Sequence, residues 1–174
     1  MRFFKILTII LGTLSFSFVP LTFAQIKVGK KAPDFVTSTL DGERFALKDY
    51  LKDPENKFLI LTFFATWCDL CGDDLKFLQQ LNEQYRDRGL RVFCVFTGRL
   101  SKIMAAKKYM EDLNVHLPIL LDKKKVVSKP YKVPALPCHY VIDREGIMRF
   151  RCIGCSEDVK SNFEKNLRGL LGEP

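Results

Sequence analysis

The chain has 174 residues, 47% of them hydrophobic, and a formal net charge of +8. That length suits one domain with an adequate core and leaves little room for a second. Lysine and arginine are scattered, the one basic run (Lys123-Lys124-Lys125) reads as a solvated surface turn, and no nucleic-acid motif is present, which excludes a nucleic-acid partner.

Residues 1–24 read as a signal peptide. Arg2 and Lys5 flank the start of an apolar run at 6–19, Pro20 breaks it, and the small residues Thr22 and Ala24 precede Gln25 as at a signal-peptidase site. The alternative is an uncleaved membrane anchor, since 6–24 is about the minimum length that spans a bilayer. Under either reading 25–174 is expected to be a single exported domain, periplasmic or otherwise extracytoplasmic, where disulfides form and persist.

Beyond the leader, 34–40 and 44–46 flank Asp41-Gly42, a hairpin signal, and 47–51 fits a short helical turn. Residues 57–65 are almost unbroken apolar sequence, the pattern of a central strand buried on both faces. From Asp73 the period changes: Leu75, Leu78, Leu81 and Tyr85 recur at helical spacing up to Gly89. A second buried strand is expected at 91–97, and Ile103, Ala106, Met110 and Leu113 mark another amphipathic helix. A short strand at 117–121 leads into an irregular stretch at 122–136. The runs 138–142 and 147–153, separated by Asp143-Arg144-Glu145-Gly146, predict an antiparallel hairpin. Ser156 caps a last helix with Glu157 and Asp158 in its first turn and one apolar face through Val159, Phe163, Leu167, Leu170 and Leu171. This order predicts an α/β fold, a central mixed β-sheet flanked by helices, with an N-terminal β-hairpin extension.

Cys68-Asp69-Leu70-Cys71 lies where the first buried strand gives way to a helix. A helix N-terminus carries unsatisfied N–H groups and a positive dipole end, both of which stabilise a thiolate. Two intervening residues bring the second thiol within reach to resolve a mixed disulfide. A bare C-x-x-C is a weak signal, but one that follows a strand and opens a helix is strong. The remaining cysteines are Cys94, Cys138, Cys152 and Cys155. Cys94, in mid-strand, is expected to pack as a small apolar group. Counting back through the 143–146 turn, Cys138 is expected to face residue 151 or 152. A second redox pair, Cys138–Cys152 or Cys152–Cys155, is then one reading, and unpaired packing thiols the other.

The stretch Phe63-Phe64-Ala65-Thr66-Trp67-Cys68-Asp69-Leu70-Cys71 resembles the active-site segment of thioredoxin-like proteins of the TlpA/ResA class. Ala32-Pro33-Asp34-Phe35 with the Asp41-Gly42 hairpin resembles that class's amino-terminal extension. The segment from Leu136-Pro137-Cys138-His139 to Gly146 resembles its cis-proline strand and turn. The resemblance covers roughly 28–172 and implies a thioredoxin-like fold acting as a thiol–disulfide oxidoreductase without an organic cofactor or metal. It implies that Cys68 is the exposed attacking thiol and Cys71 the buried resolving one. Trp67, Leu136 and Pro137 then shape the groove where a partner docks, with Pro137 in cis, although a core aromatic is the other reading of Trp67. Asp74 stands where many members have a glutamate that relays the proton of the second cysteine. The other reading of Asp73 and Asp74 is a favourable charge pair in the first helical turn. The class's proline a few residues after Cys71 is replaced by Lys76, and its threonine after the cis-proline by Cys138.

The resemblance also implies partners: disulfide-containing exported proteins, apocytochrome c among them, and a membrane or periplasmic thiol donor that resets the pair of a monomeric enzyme. Asp69 beside the pair leans it toward reduction. A peroxiredoxin needs threonine or serine three residues before its reactive cysteine, where this chain has Ala65. The competing binding function on the same fold is copper delivery by Cys68, Cys71 and His139, since thiolates and imidazole suit copper. His116, ahead of Leu117-Pro118, reads as a surface loop residue.

Overall fold

The computed structural model describes residues 27–154 and 156–173. The leader expected at 1–24 and the thiol of Cys155 lie outside the described residues. No helix among the described residues is long and apolar enough to cross a membrane.

The chain opens with a small antiparallel hairpin, β1 (Val36–Ser38) and β2 (Arg44–Ala46), followed by one helical turn, α1 (Leu47–Tyr50). Gly42 closes the hairpin with φ of +90°, a conformation open to glycine at no steric cost. The main sheet has five strands in the order β5-β4-β3-β6-β7: β3 (Phe58–Phe64), β4 (Leu90–Phe96), β5 (Ile119–Leu121), β6 (Cys138–Asp143) and β7 (Met148–Ile153). β3, β4 and β5 run parallel, while β6 and β7 are antiparallel to their neighbours. The helices α2 (Cys71–Tyr85), α3 (Ile103–Asp112) and α4 (Glu157–Leu170) complete the fold. This is the thioredoxin-like, mixed-sheet architecture expected from the sequence.

Alternation along β3 sorts its side chains between two cores. Ile60 and Phe64 face α2, α3 and α4, packing with Leu75, Leu78, Met110, Phe163 and Leu167. Leu59, Leu61 and Phe63 face the opposite side, where the hairpin, α1 and the 127–131 turn supply Phe35, Phe45, Leu47, Val127 and Tyr131. One face is therefore covered by three helices and the other by the N-terminal extension. Tyr140 crosses the second core and donates its hydroxyl to the Tyr131 carbonyl at 2.7 Å.

Element ends follow local chemistry. α2 begins at Cys71, two residues before the apolar period is visible in the sequence. It tightens into a 3₁₀ turn and stops at Gly89, whose φ is +88°. Ser156 accepts a hydrogen bond from the Val159 amide and caps α4 as expected. Lys123–Lys125 form an exposed 3₁₀ turn, and His116 is exposed, both as the sequence suggests.

One register expectation is corrected. Cys138 faces Ile153, and Cys152 faces His139. A β-bulge between Val141 and Ile142 inserts an extra residue opposite β6 and moves every later partner by one. Neighbouring strand residues point to opposite faces, so Cys138 joins the core with Phe63 and Tyr140, whereas Cys152 packs on the helix side. A Cys138–Cys152 bond is thereby ruled out in this conformation, and both thiols are free.

Gly89 ties the end of α2 to the start of β3, its carbonyl accepting hydrogen bonds from the amides of Lys57 and Phe58. A Cβ at this position meets the Glu55 carbonyl oxygen at 2.6 Å. Gly89→Ala is expected to lower unfolding free energy in urea by about 2 kcal/mol. An unchanged midpoint and slope would show that this approach is not constrained.

Candidate active site

β3 ends at Phe64, and the next seven residues form the site. Thr97, just past β4, donates both its amide and its hydroxyl to the Phe64 carbonyl, at 3.0 and 3.1 Å, which pins the turn. The Cys68 amide then donates to the Ala65 carbonyl (3.1 Å) and the Cys71 amide to the Cys68 carbonyl (3.0 Å), winding the chain into α2. Leu70 precedes the helix without a side-chain cap, so the first amides of α2 are left to act on the cysteines.

Cys68 and Cys71 are joined by a disulfide, with Cα atoms 5.4 Å apart. Cys71 is fully buried and Cys68 is 7% exposed, between the exposed side chains of Trp67 and Leu70. The ranking expected from the sequence holds, although Cys68 presents only an edge. Trp67 is 72% exposed, which excludes the core-aromatic reading.

The Leu136–Pro137 peptide bond is cis. Cys138 pairs with Phe63, so Pro137 stands at the end of β3 from which the cysteine loop departs. Pro137 is buried and Leu136 half-buried. The Pro137 carbonyl accepts from the Gly154 amide at 3.0 Å and is thus already engaged.

Asp74 is 2% exposed, on the inner face of α2 one turn beyond Cys71. Asp73 and Asp74 both lie in the first turn of α2, as the charge-pair reading has it, but Asp73 is exposed and Asp74 is buried. The Asp74 carboxylate meets the ring of His139, with Nε2 3.0 Å from Oδ2. His139 Nδ1 lies 3.0 Å from the Thr62 hydroxyl, and the edge of the ring packs on Phe163, with centroids 5.6 Å apart. Nδ1 is thus engaged by Thr62, while Nε2 abuts the Asp74 carboxylate, whose Oδ2 has no partner in hydrogen-bond geometry among the described residues. Among the described residues no group of three His, Cys, Asp or Glu side chains has the geometry to hold a metal. Sequence reading missed the partnership of His139 with Asp74 and Thr62. The available signal was that Asp74 falls on the same helical stripe as Cys71 and Leu78.

The other described thiols are quiet. Burial, and then the charge of Asp74, pushes the Cys94 and Cys152 thiols up from their ordinary value. Burial also raises Cys138, although Tyr140 and Arg151 reach its sulfur and oppose the shift. None has the character of a nucleophile at neutral pH.

Comparison with known proteins supplies independent bearings. The family model described as the AhpC/TSA family matches residues 28–151. A thiol-disulfide oxidoreductase ResA of Bacillus cereus is 28% identical over 168 residues, covering 95% of this chain and 92% of the relative. The thioredoxin-like protein YneN of Bacillus subtilis is 32% identical over 142 residues, 82% of this chain and 79% of the relative. Among solved structures, a putative thiol:disulfide interchange protein DsbE from Chlorobium tepidum superposes with a TM-score of 0.75 at 25% identity, covering 85% of this chain and 100% of that one.

The raised thiols carry a pH signature. A Cys94 that keeps its proton in the folded state while the unfolded chain ionises near the ordinary value of 9.0 makes stability fall as pH rises above that value. Below it both states are protonated and the group is silent. Cys94→Ala should remove up to about 1.4 kcal/mol per pH unit from that alkaline decline, read by urea unfolding across pH. An identical alkaline slope in the variant contradicts the assignment.

Proposed function

The chain belongs to the AhpC/TSA family, and from that premise we propose how this member works: it is a thiol–disulfide oxidoreductase that exchanges disulfides with protein substrates through Cys68 and Cys71. Family membership alone does not fix a chemistry. The observation that carries this reading is the Cys68–Cys71 disulfide at the entrance of α2, at the same end of β3 as the cis Leu136–Pro137 bond.

In the reductive direction, the Cys68 thiolate attacks one sulfur of a substrate disulfide. A Cys68–substrate disulfide forms and the other substrate sulfur leaves as a thiolate, to be protonated by solvent. Cys71 then gives up its proton, with Asp74 as the acceptor, and its sulfur attacks Cys68 Sγ. The second substrate thiol departs and the Cys68–Cys71 disulfide is left. The substrate has gained two electrons, and a thiol donor must return two to the enzyme. The α2 amides and helix dipole favour the thiolate at Cys68, while Asp69 next to it disfavours the thiolate and leans the couple toward reduction.

Trp67 and the half-buried Leu136 form the docking surface, and the buried Pro137 sets the course of the loop that carries Leu136. The exposed Trp67 and Leu70 flank the reactive sulfur with apolar area suited to an unfolded or extended polypeptide. The segment 1–24 directs export or anchors the domain, which places the work in an extracytoplasmic, periplasmic space. Substrates there are disulfide-bearing exported proteins, with apocytochrome c in cytochrome c maturation as the specific proposal, and the donor is a membrane or periplasmic thiol. The copper-delivery reading through Cys68, Cys71 and His139 requires His139 to leave Asp74 and Thr62, whereas thiol exchange requires no such movement.

Cys68→Ser should abolish reduction of a disulfide-bonded peptide, a loss of more than about 1,000-fold. Cys71→Ala should instead accumulate a covalent, reductant-sensitive complex with that peptide, visible by mass. Full activity in Cys68→Ser, or no trapped complex in Cys71→Ala, would falsify the assignment of roles.

A further inference from the structure

One row of side chains crosses the sheet on its helix-covered face. Cys94 of β4, Thr62 of β3, His139 of β6 and Cys152 of β7 are successive register partners, and α2 lays Asp74 over the middle of the row. Thr62, Asp74 and His139 are three of the few polar side chains buried in the protein. A buried ionisable pair is a poor way to gain stability, because desolvation offsets most of its attraction. Its position matters more: Asp74 is three residues after Cys71 on the same buried helical face, within the reach of i, i+3 neighbours.

We propose that His139 is the positioning and proton-storing partner of Asp74, so that the proton leaving Cys71 Sγ is held by the Asp74–His139 pair rather than by Asp74 alone. This rests on the reading of Asp74 as the acceptor for Cys71. In the mixed-disulfide enzyme awaiting resolution, the pair lacks that proton: Asp74 is a carboxylate and His139 is neutral, with Nδ1–H donating to the Thr62 hydroxyl and a bare Nε2 3.0 Å from Asp74 Oδ2, which has no hydrogen-bond partner among the described residues. When Cys71 ionises, its proton passes to the Asp74 carboxylate and on to Nε2, the ring nitrogen that faces Asp74. The Thr62 oxygen accepts from Nδ1–H throughout. Thr62 thereby holds the ring in one tautomer and one orientation in both charge states. The buried region keeps its total charge, since a new thiolate is matched by a new imidazolium. That matters in a low-dielectric site, where an unmatched charge is expensive.

The surrounding groups leave the proton to this pair. From β4 and β7 the facing titratable groups are Cys94 and Cys152, both pushed up by burial and by Asp74, so they remain S–H. β3 contributes the Thr62 hydroxyl, α2 contributes Cys71 and Asp74 themselves, and α4 closes the ring off with the apolar edge of Phe163.

The test is the rate at which dithiothreitol reduces the Cys68–Cys71 disulfide, followed by Trp67 fluorescence across pH, a reaction in which Cys71 departs as the leaving thiolate and takes its proton back. Asp74→Asn should slow this by about 100-fold, and His139→Gln, which keeps an N–H donor but cannot store a proton, by about tenfold. In both, the pH profile should collapse to that of the reductant's own thiol. A normal profile in Asp74→Asn overturns the acceptor reading. A changed profile in Asp74→Asn with a normal one in His139→Gln overturns only the role of His139. If either variant fails to fold, the wild-type protein decides. Its two histidines, His116 and His139, give separable imidazole nitrogen signals, with exposed His116 as an internal control. The His139 signals should differ between disulfide and dithiol forms at one pH. Identical His139 signals in both forms across the pH range reject the proposal.

Discussion

β3 is buried from Leu59 to Phe64 and has both edges occupied, by β4 in parallel and β6 in antiparallel register. A strand so enclosed cannot slip without turning its apolar side chains to the wrong core. The register therefore fixes what emerges at its carboxyl end. The chain leaves Phe64, is held there by two hydrogen bonds from Thr97, and can only turn into α2 with Cys68 at the entrance and Cys71 beneath it. The antiparallel β6 begins at that same end, which brings Pro137 to the cysteine loop. The reactive centre thus depends on the packing of one strand more than on contacts among its own residues.

The same register sets the polar row behind the disulfide. Thr62 lies between Ile60 and Phe64, on the helix-covered face, and is matched to His139 because β6 has no freedom to shift. α2 then completes the row from above with Asp74. An interior with so few polar groups gives each of them a large effect on its neighbours. Cys94 and Cys152 show this: the Asp74 charge adds to burial in holding both as thiols. The protein therefore separates two classes of sulfur, one bonded pair at a helix entrance and others whose surroundings suppress the thiolate.

Much of this was legible in the sequence. The apolar run at 58–64 announced a doubly buried strand, Asp41-Gly42 announced the hairpin, and Ser156 with Glu157 and Asp158 announced the last helix. Those signals are local, carried by periodicity and capping chemistry. The Cys68–Cys71 spacing at a strand-to-helix boundary is local too, and the structure forms that pair. What was not legible is non-local. Cys138 facing Ile153 depends on a bulge at Val141 and Ile142 that no residue type marks. The contact of His139 with Asp74 joins residues far apart in the chain through the stacking of α2 on the sheet, so from the sequence His139 reads as a partly buried strand residue, with copper ligation as the alternative. Trp67 could not be placed from its identity, because the same ring serves a core or a docking surface. Its exposure follows from the backbone turning away after Ala65.

The central claim is that Cys68 and Cys71 are a working redox couple and not a structural staple. It is tested most directly by equilibrating the folded protein in thiol–disulfide buffers of graded potential, quenching by alkylation and weighing the products. The account predicts one reversible two-electron transition in which Cys68 and Cys71 gain the label together, while the protein stays folded throughout. A Cys68–Cys71 bond that resists every buffer until the protein unfolds would contradict it.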